Sequence, residues 1–136
     1  MDYIYYKVPV AFFENEKYKD LSSAEMCMYS VLYARYELFL FGKVLEYTRK
    51  DKGIFREMRT YQMIEAGGGK DKDGIFIFYP VSELAKYVRI SKQTVINGLK
   101  HLEEYGLIVR KKGRQGQPDK IYIHETETSD KKEVLS

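Results

Sequence analysis

One cysteine, Cys27, and two histidines, His101 and His124, are all that this 136-residue chain offers for disulfides and soft-metal sites. A single thiol closes no internal disulfide, and one Cys with two His falls short of a structural zinc site. Cys27 lies in an apolar stretch and is expected to be an inert, buried thiol. No apolar run approaches the roughly 18 residues that span a bilayer. The densest, residues 26–41, is interrupted by Arg35 and Glu37. Met1-Asp2-Tyr3 puts no basic segment ahead of an apolar one, so no secretory signal is expected. These absences fit a protein of the reducing cytoplasm. Internal repeats are missing as well. Neither histidine has a Ser or Cys partner motif, so no catalytic residue, metal or cofactor is expected, and the chain does not read as an enzyme.

What is present suffices for a core. Hydrophobic residues make up 44% and charged residues 32%, which predicts one soluble folded domain rather than a disordered chain. The formal net charge of +3 is unevenly placed. Residues 81–124 hold 9 Lys and Arg against 4 Asp and Glu, residues 1–80 balance at 12 and 12, and residues 125–136 are acidic. Positive charge gathered in one stretch is the first footprint of a nucleic-acid binder, although a solvated basic face has the same composition.

Along the chain, Tyr3 to Lys7 reads as a short strand or an extended arm, and Glu14 to Asp20 as a polar connection. Ser22-Ser23-Ala24-Glu25 carries a capping box, with Leu21 as its staple, opening a helix to about Phe41 that Gly42 ends. That helix is apolar nearly all round, so it is buried on several faces or pairs with another chain. Residues 43–74 are predicted to be an irregular insertion, within which Ile54 to Ala66 has helical spacing. Gly67 to Gly74 is expected to be a mobile surface loop. Gly69-Lys70 is followed by Asp71, where a phosphate-binding loop needs Ser or Thr, and the Asp71, Asp73, Gly74 spacing lacks the remaining EF-hand ligands.

From Ile75 onward the order is strand, short helix, turn, longer helix, strand, basic tip, strand. Ile75–Tyr79 is the first strand, Pro80–Val88 the short helix, and Lys92 to about Tyr105 the longer one, capped by Ser91 and closed by Gly106. Leu107–Lys112 and Lys120–His124 are the hairpin strands, and residues 125–136 form an acidic tail expected to fray. The predicted fold is therefore α+β, mainly α: a winged helix-turn-helix over residues 1–124 with an N-terminal arm and a C-terminal β-hairpin wing.

A helical wheel of the longer helix puts Val95, Leu99 and Leu102 on the core side. Gln93, Asn97, His101 and Glu104 lie opposite, flanked by Thr94 and Lys100, and His101 is counted with Gln93 and Asn97 among the candidate DNA contacts. Gln and Asn pair bidentately with adenine edges in a major groove. Thr94 and Lys100 suit phosphate or methyl contacts, and Ser91 and Lys92 suit phosphate at the helix start. Gly98 within this helix either permits close packing or is neutral. Arg110-Lys111-Lys112-Gly113-Arg114 places four positive charges in five residues. The candidate wing contacts are Lys111, Lys112, Arg114, Gln115, Gln117 and Lys120. Solubilising protection of an edge strand is the competing reading of that run.

Two blocks carry a family resemblance. The first is Tyr6-Lys7-Val8-Pro9 with Phe13 to Ser23. The second comprises Ser91-Lys92-Gln93-Thr94-Val95, Leu99-Lys100-His101-Leu102-Glu103, Tyr105-Gly106-Leu107-Ile108 and Gly116 to Ile123. Together they resemble the RepA N-terminal family of plasmid replication initiators. The resemblance implies a winged helix that binds double-stranded DNA at repeated sites of a plasmid origin, as a homodimer, in a bacterial cytoplasm. It implies host replication proteins as further partners, through a C-terminal region beyond this sequence. Residues 42–74 look longer than that family's connector. The chain ends soon after the wing where family members continue, so an excised domain or a short variant is expected. A transcriptional regulator of the same fold, and a winged helix whose wing binds protein, are the alternatives. The bulky helix over residues 22–41, the arm, or both are expected at a two-fold interface.

Overall fold

The computed structural model describes residues 5–42 and 54–127, with side chains described from residue 59 in the second segment. The start of the arm, residues 43–53 of the expected insertion, and the tail beyond residue 127 lie outside the described residues.

Burial of aromatic side chains organises the N-terminal segment. A short helix α1, Ala11–Glu14, and a 3-10 turn, Glu16–Tyr18, carry Phe12 and Tyr18 into the core. The rings of Phe12 and Tyr29 meet edge to face at 5.2 Å, a favoured aromatic geometry. The stretch expected to be a polar connection thus contributes one of the most buried rings, Tyr18 at 1% exposure. Its hydroxyl accepts the Glu127 N–H at 3.0 Å. Tyr33 donates to Glu125 at 2.9 Å, and Lys17 pairs with Glu127 at 2.6 Å. Residues 125–127 are therefore anchored where fraying was expected.

Helix α2, Ser23–Phe41, starts with the predicted capping box. Ser22 Oγ accepts the Glu25 N–H at 3.1 Å, and Glu25 Oε1 accepts the Ser22 N–H at 2.9 Å. Gly42 ends it in an extended conformation, φ −174°, not the left-handed one. Met28, Tyr29, Val31, Leu32 and Phe39 are buried, whereas Leu38 and Phe41 are exposed. Cys27 is exposed too, which corrects the expectation of a buried thiol. It falls on the outward side of a helix whose apolar residues surround the axis, so apolar neighbours in sequence did not mean burial.

Helix α3, Ile54–Ala66, matches the predicted span. The next residues do not form a mobile loop. Strand β1, Gly68–Asp71, pairs antiparallel with β2, Gly74–Ile77, in the register Gly68↔Ile77 to Asp71↔Gly74. The glycines allow close approach: a Cβ on Gly68 would lie 2.5 Å from the Phe76 carbonyl oxygen and 3.0 Å from the Phe39 ring. The turn closes through Asp71 Oδ1, which accepts the Asp73 N–H at 2.9 Å, with Gly74 at φ 112°. The expected strand through Tyr79 stops at Ile77, although Phe78 and Tyr79 remain buried.

Helices α4, Val81–Val88, and α5, Lys92–Glu104, precede strands β3, Ile108–Lys111, and β4, Lys120–Ile123. The sheet order is β1-β2-β4-β3, antiparallel throughout. Alternation splits its faces. Ile77, Ile108, Ile121 and Ile123 join Leu32, Leu84, Val95 and Leu99 in the main core. Met63 of α3 packs with Phe76, Phe78 and Tyr122 in a second, smaller cluster. Each fully buried apolar side chain contributes about 1.5–3 kcal/mol relative to exposure.

Candidate nucleic-acid interface

The helix-turn-helix is held by local signals. Leu84 and Ala85 bury the inner face of α4. Arg89 caps α4 in the left-handed region at φ 65°, so that the Ile90 N–H donates to the Ala85 carbonyl at 3.0 Å. A non-glycine residue there is uncommon and turns the chain sharply into α5. Ser91 Oγ then accepts the Thr94 N–H at 3.0 Å as the N-cap, and it also bonds the Thr94 hydroxyl at 2.7 Å. Gly106, at φ 74°, closes the far end as predicted.

Val95, Leu99 and Leu102 face the core, at 0–2% exposure. Gly98 does serve close packing, because a Cβ there would sit 2.7 Å from Met28 Sδ of α2. The opposite side leaves Gln93, Ile96, Asn97 and Lys100 exposed. These positions are i, i+3, i+4 and i+7, one continuous stripe along the helix. Gln93 Nε2 donates to Asn97 Oδ1 at 2.9 Å, which aligns the two amides side by side. Lys92 and Thr94 flank the stripe, both exposed. Ile96 is a stripe residue that the sequence reading passed over. Its signal was an apolar side chain one position from the polar face, and such a side chain suits a thymine methyl.

His101, one turn beyond Asn97, is half-buried at the end of this stripe. Its Nδ1 lies 2.8 Å from Glu25 Oε2, and its ring is 4.9 Å from that of Tyr105. This contact ties α5 to the start of α2 and leaves the His101 side chain 34% exposed. Burial pushes the Glu25 carboxyl up, but the Ser22 N–H, the His101 ring and the Ser22 hydroxyl outweigh it and hold it below the usual glutamate range.

The wing is a hairpin in the register Ile108↔Ile123 to Lys111↔Lys120. Its charge run divides by strand alternation. Arg110 turns toward α5, where its Nε donates to Glu103 at 2.7 Å. Lys111 turns to the other face and pairs with Asp73 at 2.6 Å. Its cross-strand neighbour Lys120 pairs with Asp71 at 2.8 Å, and its ammonium sits 4.4 Å from the Phe76 ring centre. Lys112, Arg114, Gln115 and Gln117 lie exposed on the tip, and no described carboxylate pairs with Lys112 or Arg114. The tip turns on Gly116, φ 80°, and on the Gly113 N–H, which donates to Asp119 at 3.1 Å. Ser91 at the N-cap and Lys92, Gln93, Thr94, Asn97 and Lys100 on α5 are thus exposed, as are Lys112, Arg114, Gln115 and Gln117 on the wing. The structure ties Lys111 and Lys120 to Asp71 and Asp73, two acids that sequence spacing gave no reason to connect with the wing.

Among the described residues no group of three or more His, Cys, Asp and Glu is arranged to hold a metal. No described helix is long and apolar enough to cross a membrane.

The family model for the N-terminus of replication initiator protein A matches residues 53–136. That range contains the second block of resemblance and leaves out the first, residues 6–23. No curated protein matches the chain. Solved structures share its fold. One described as "N-Terminal domain of DNA binding protein" has a TM-score of 0.67 at 20% identity, over 97% of this chain and 82% of that one. "Structure of Rep-DNA complex" gives 0.67 at 20%, over 97% and 83%. "Structure of MDR initiator" gives 0.64 at 20%, over 97% and 85%.

Proposed function

The chain belongs to the family of replication initiator protein A N-termini, and from that premise we propose that it binds double-stranded DNA sequence-specifically at a plasmid origin. The observation that carries the reading is the exposed stripe Gln93, Ile96, Asn97 and Lys100, set on the same hairpin-flanked body as the Lys112 and Arg114 tip. A helix of this kind fits a major groove, where Gln and Asn read adenine and an apolar side chain meets a thymine methyl. The tip cations contact phosphate, which gives affinity and register but no sequence information. The protein acts by binding, without a catalytic group of its own, in the cytoplasm. Its exposed Leu38, Leu40 and Phe41 at the end of α2 suit burial against a second copy, and a homodimer presents two stripes to one stretch of DNA.

The test starts from duplexes selected out of a random pool. Asn97→Ala should cost about 1–3 kcal/mol on the selected sequence and little on random DNA. Equal loss on both would make Asn97 a backbone contact and remove the base-reading role. Sedimentation of the complex on the selected duplex should count two chains for each repeat pair. A single chain per duplex at saturation would sink the dimer.

A further inference from the structure

The β1–β2 turn and the base of the wing meet on the sheet face that also carries Phe76 and Tyr122. In register, Lys111 lies opposite Lys120, and Val109 opposite Tyr122, so both lysines share that face. Phe76 opposite Tyr122 and Gly69 opposite Phe76 extend the same face to β1, where Asp71 follows two positions on. Two carboxylates from one turn therefore arrive beside two ammonium groups from the wing. Asp73 Oδ2 takes Lys111 Nζ at 2.6 Å. Asp71 Oδ2 takes both Lys120 Nζ at 2.8 Å and the Tyr122 hydroxyl at 2.6 Å. The Asp71 side chain keeps only 8% exposure, and Lys111 also lies over the Tyr122 ring, 5.3 Å from its centre.

We propose that Asp71 and Asp73 are positioning residues that hold Lys111 and Lys120 against the sheet and so restrict phosphate contact by the wing to its tip, Lys112 and Arg114. The proposal rests on the DNA-binding reading above and sharpens it. Repeated Lys and Arg without acids nearby bind any duplex, because phosphate contacts carry no sequence information. Two lysines paired with carboxylates of their own chain, the buried Asp71 side chain and the exposed Asp73, lower that sequence-independent part and leave the α5 stripe a larger share of the total. The acids act from outside the interface, through the direction of the lysine side chains.

The experiment is a salt series on the full chain with a labelled random-sequence duplex, reading the slope of log K against log salt. Each phosphate contact contributes about 0.9 to that slope. Asp73→Asn should steepen it by about 0.9 as Lys111 turns to phosphate. Adding Lys111→Ala to Asp73→Asn should return the slope to the wild-type value, and Lys111→Ala alone should leave the wild-type slope unchanged. An Asp73→Asn slope equal to wild type would overturn the proposal. Steepening that survives Lys111→Ala would also overturn it, because the effect would then be one of bulk charge. A flatter slope in Lys111→Ala alone overturns it even if Asp73→Asn fails to fold. Failure of the underlying reading looks different: wild type would then show no salt-dependent duplex binding, and Lys112→Ala and Arg114→Ala would change nothing.

Discussion

The sheet consists of two antiparallel hairpins that match in strand length and differ in almost everything else. Both use strands of four residues. The first, β1–β2, turns through Lys72 and Asp73 alone, between the paired Asp71 and Gly74. Its Gly68 lies against the Phe76 backbone, and its two acids pair with lysines of the neighbouring hairpin. The second, β3–β4, opens into residues 112–119, most of them exposed. The comparison shows that a charge run in sequence is not the same as charge on a surface. Alternation along β3 sends Arg110 to Glu103 and Lys111 to Asp73, and only the residues past the last strand pair stay on the tip. An exposed ion pair is worth about 0–1 kcal/mol. The weight of these pairs lies in where they put the cations.

The largest effect is expected from separating the two hairpins. Phe76 is fully buried, pairs in register with Tyr122, and packs at 5.2 Å on Phe78 and 6.0 Å on Tyr122. It joins β2 to β4 on the face that Met63 of α3 covers. Phe76→Ala should lower unfolding stability by about 3–5 kcal/mol in a urea titration, the usual cost of emptying such a site. A loss under about 1 kcal/mol would mean that the main core alone holds both hairpins.

A second test sets the tip of the wing against its base. Lys112→Ala with Arg114→Ala should flatten the salt slope on random DNA by about 1.8, two contacts at about 0.9 each. At about 0.1 M salt that is roughly 60-fold in affinity, or about 2.5 kcal/mol. Arg110→Ala, whose guanidinium is engaged by Glu103, should leave the slope as it is. Flattening by about 0.9 in Arg110→Ala would show that the Glu103 pair opens on DNA, and the division between tip and base would fail.

The same division separates what the sequence made legible from what it hid. Ser22 with Glu25, Ser91 and Gly106 are local signals whose partners lie within four residues, and each appears where spacing predicts it. The core side of α5 follows from helical period alone. Gly67 to Gly74 conceals its strand because strand character there comes from a partner: Gly68 and Gly69 have low β propensity and are strand residues through pairing with β2, with Phe39 pressed against Gly68. The place of His101 is hidden for a related reason, since its partner Glu25 lies 76 positions away. Asp71 with Lys120 and Asp73 with Lys111, 49 and 38 positions apart, leave no trace in spacing. Tyr18 sits in a polar stretch and is buried between the nearby Phe12 ring and that of Tyr105, which comes from the far end of α5. Local chemistry could be read from the sequence; juxtaposition across the sheet could not.

The smallest expected effect concerns the contact that ties the two hairpins electrostatically. Burial pushes the Asp71 carboxyl up, but hydrogen bonds from Lys120, Tyr122 and the Asp73 N–H, with the Lys120 charge, outweigh it and hold its pKa below the usual aspartate value. Burial and the neighbouring Asp71 carboxylate push the Tyr122 hydroxyl well above its ordinary range, so it stays a donor at any working pH. With the folded-state pKa depressed, the folded protein binds fewer protons than the unfolded chain. The contribution is therefore complete above the unfolded value of about 3.9 and fades as pH falls through the lower folded value. Asp71→Asn keeps an acceptor for Tyr122 and removes only the charge assistance, about 1 kcal/mol. The expected result is a gap of that size between wild type and variant in urea unfolding near neutral pH, closing as the pH drops below about 3.9. A gap that stays constant into acid would mean that the Asp71→Asn variant is weakened through packing rather than charge, and the Asp71 carboxylate would then have no electrostatic part in joining the hairpins.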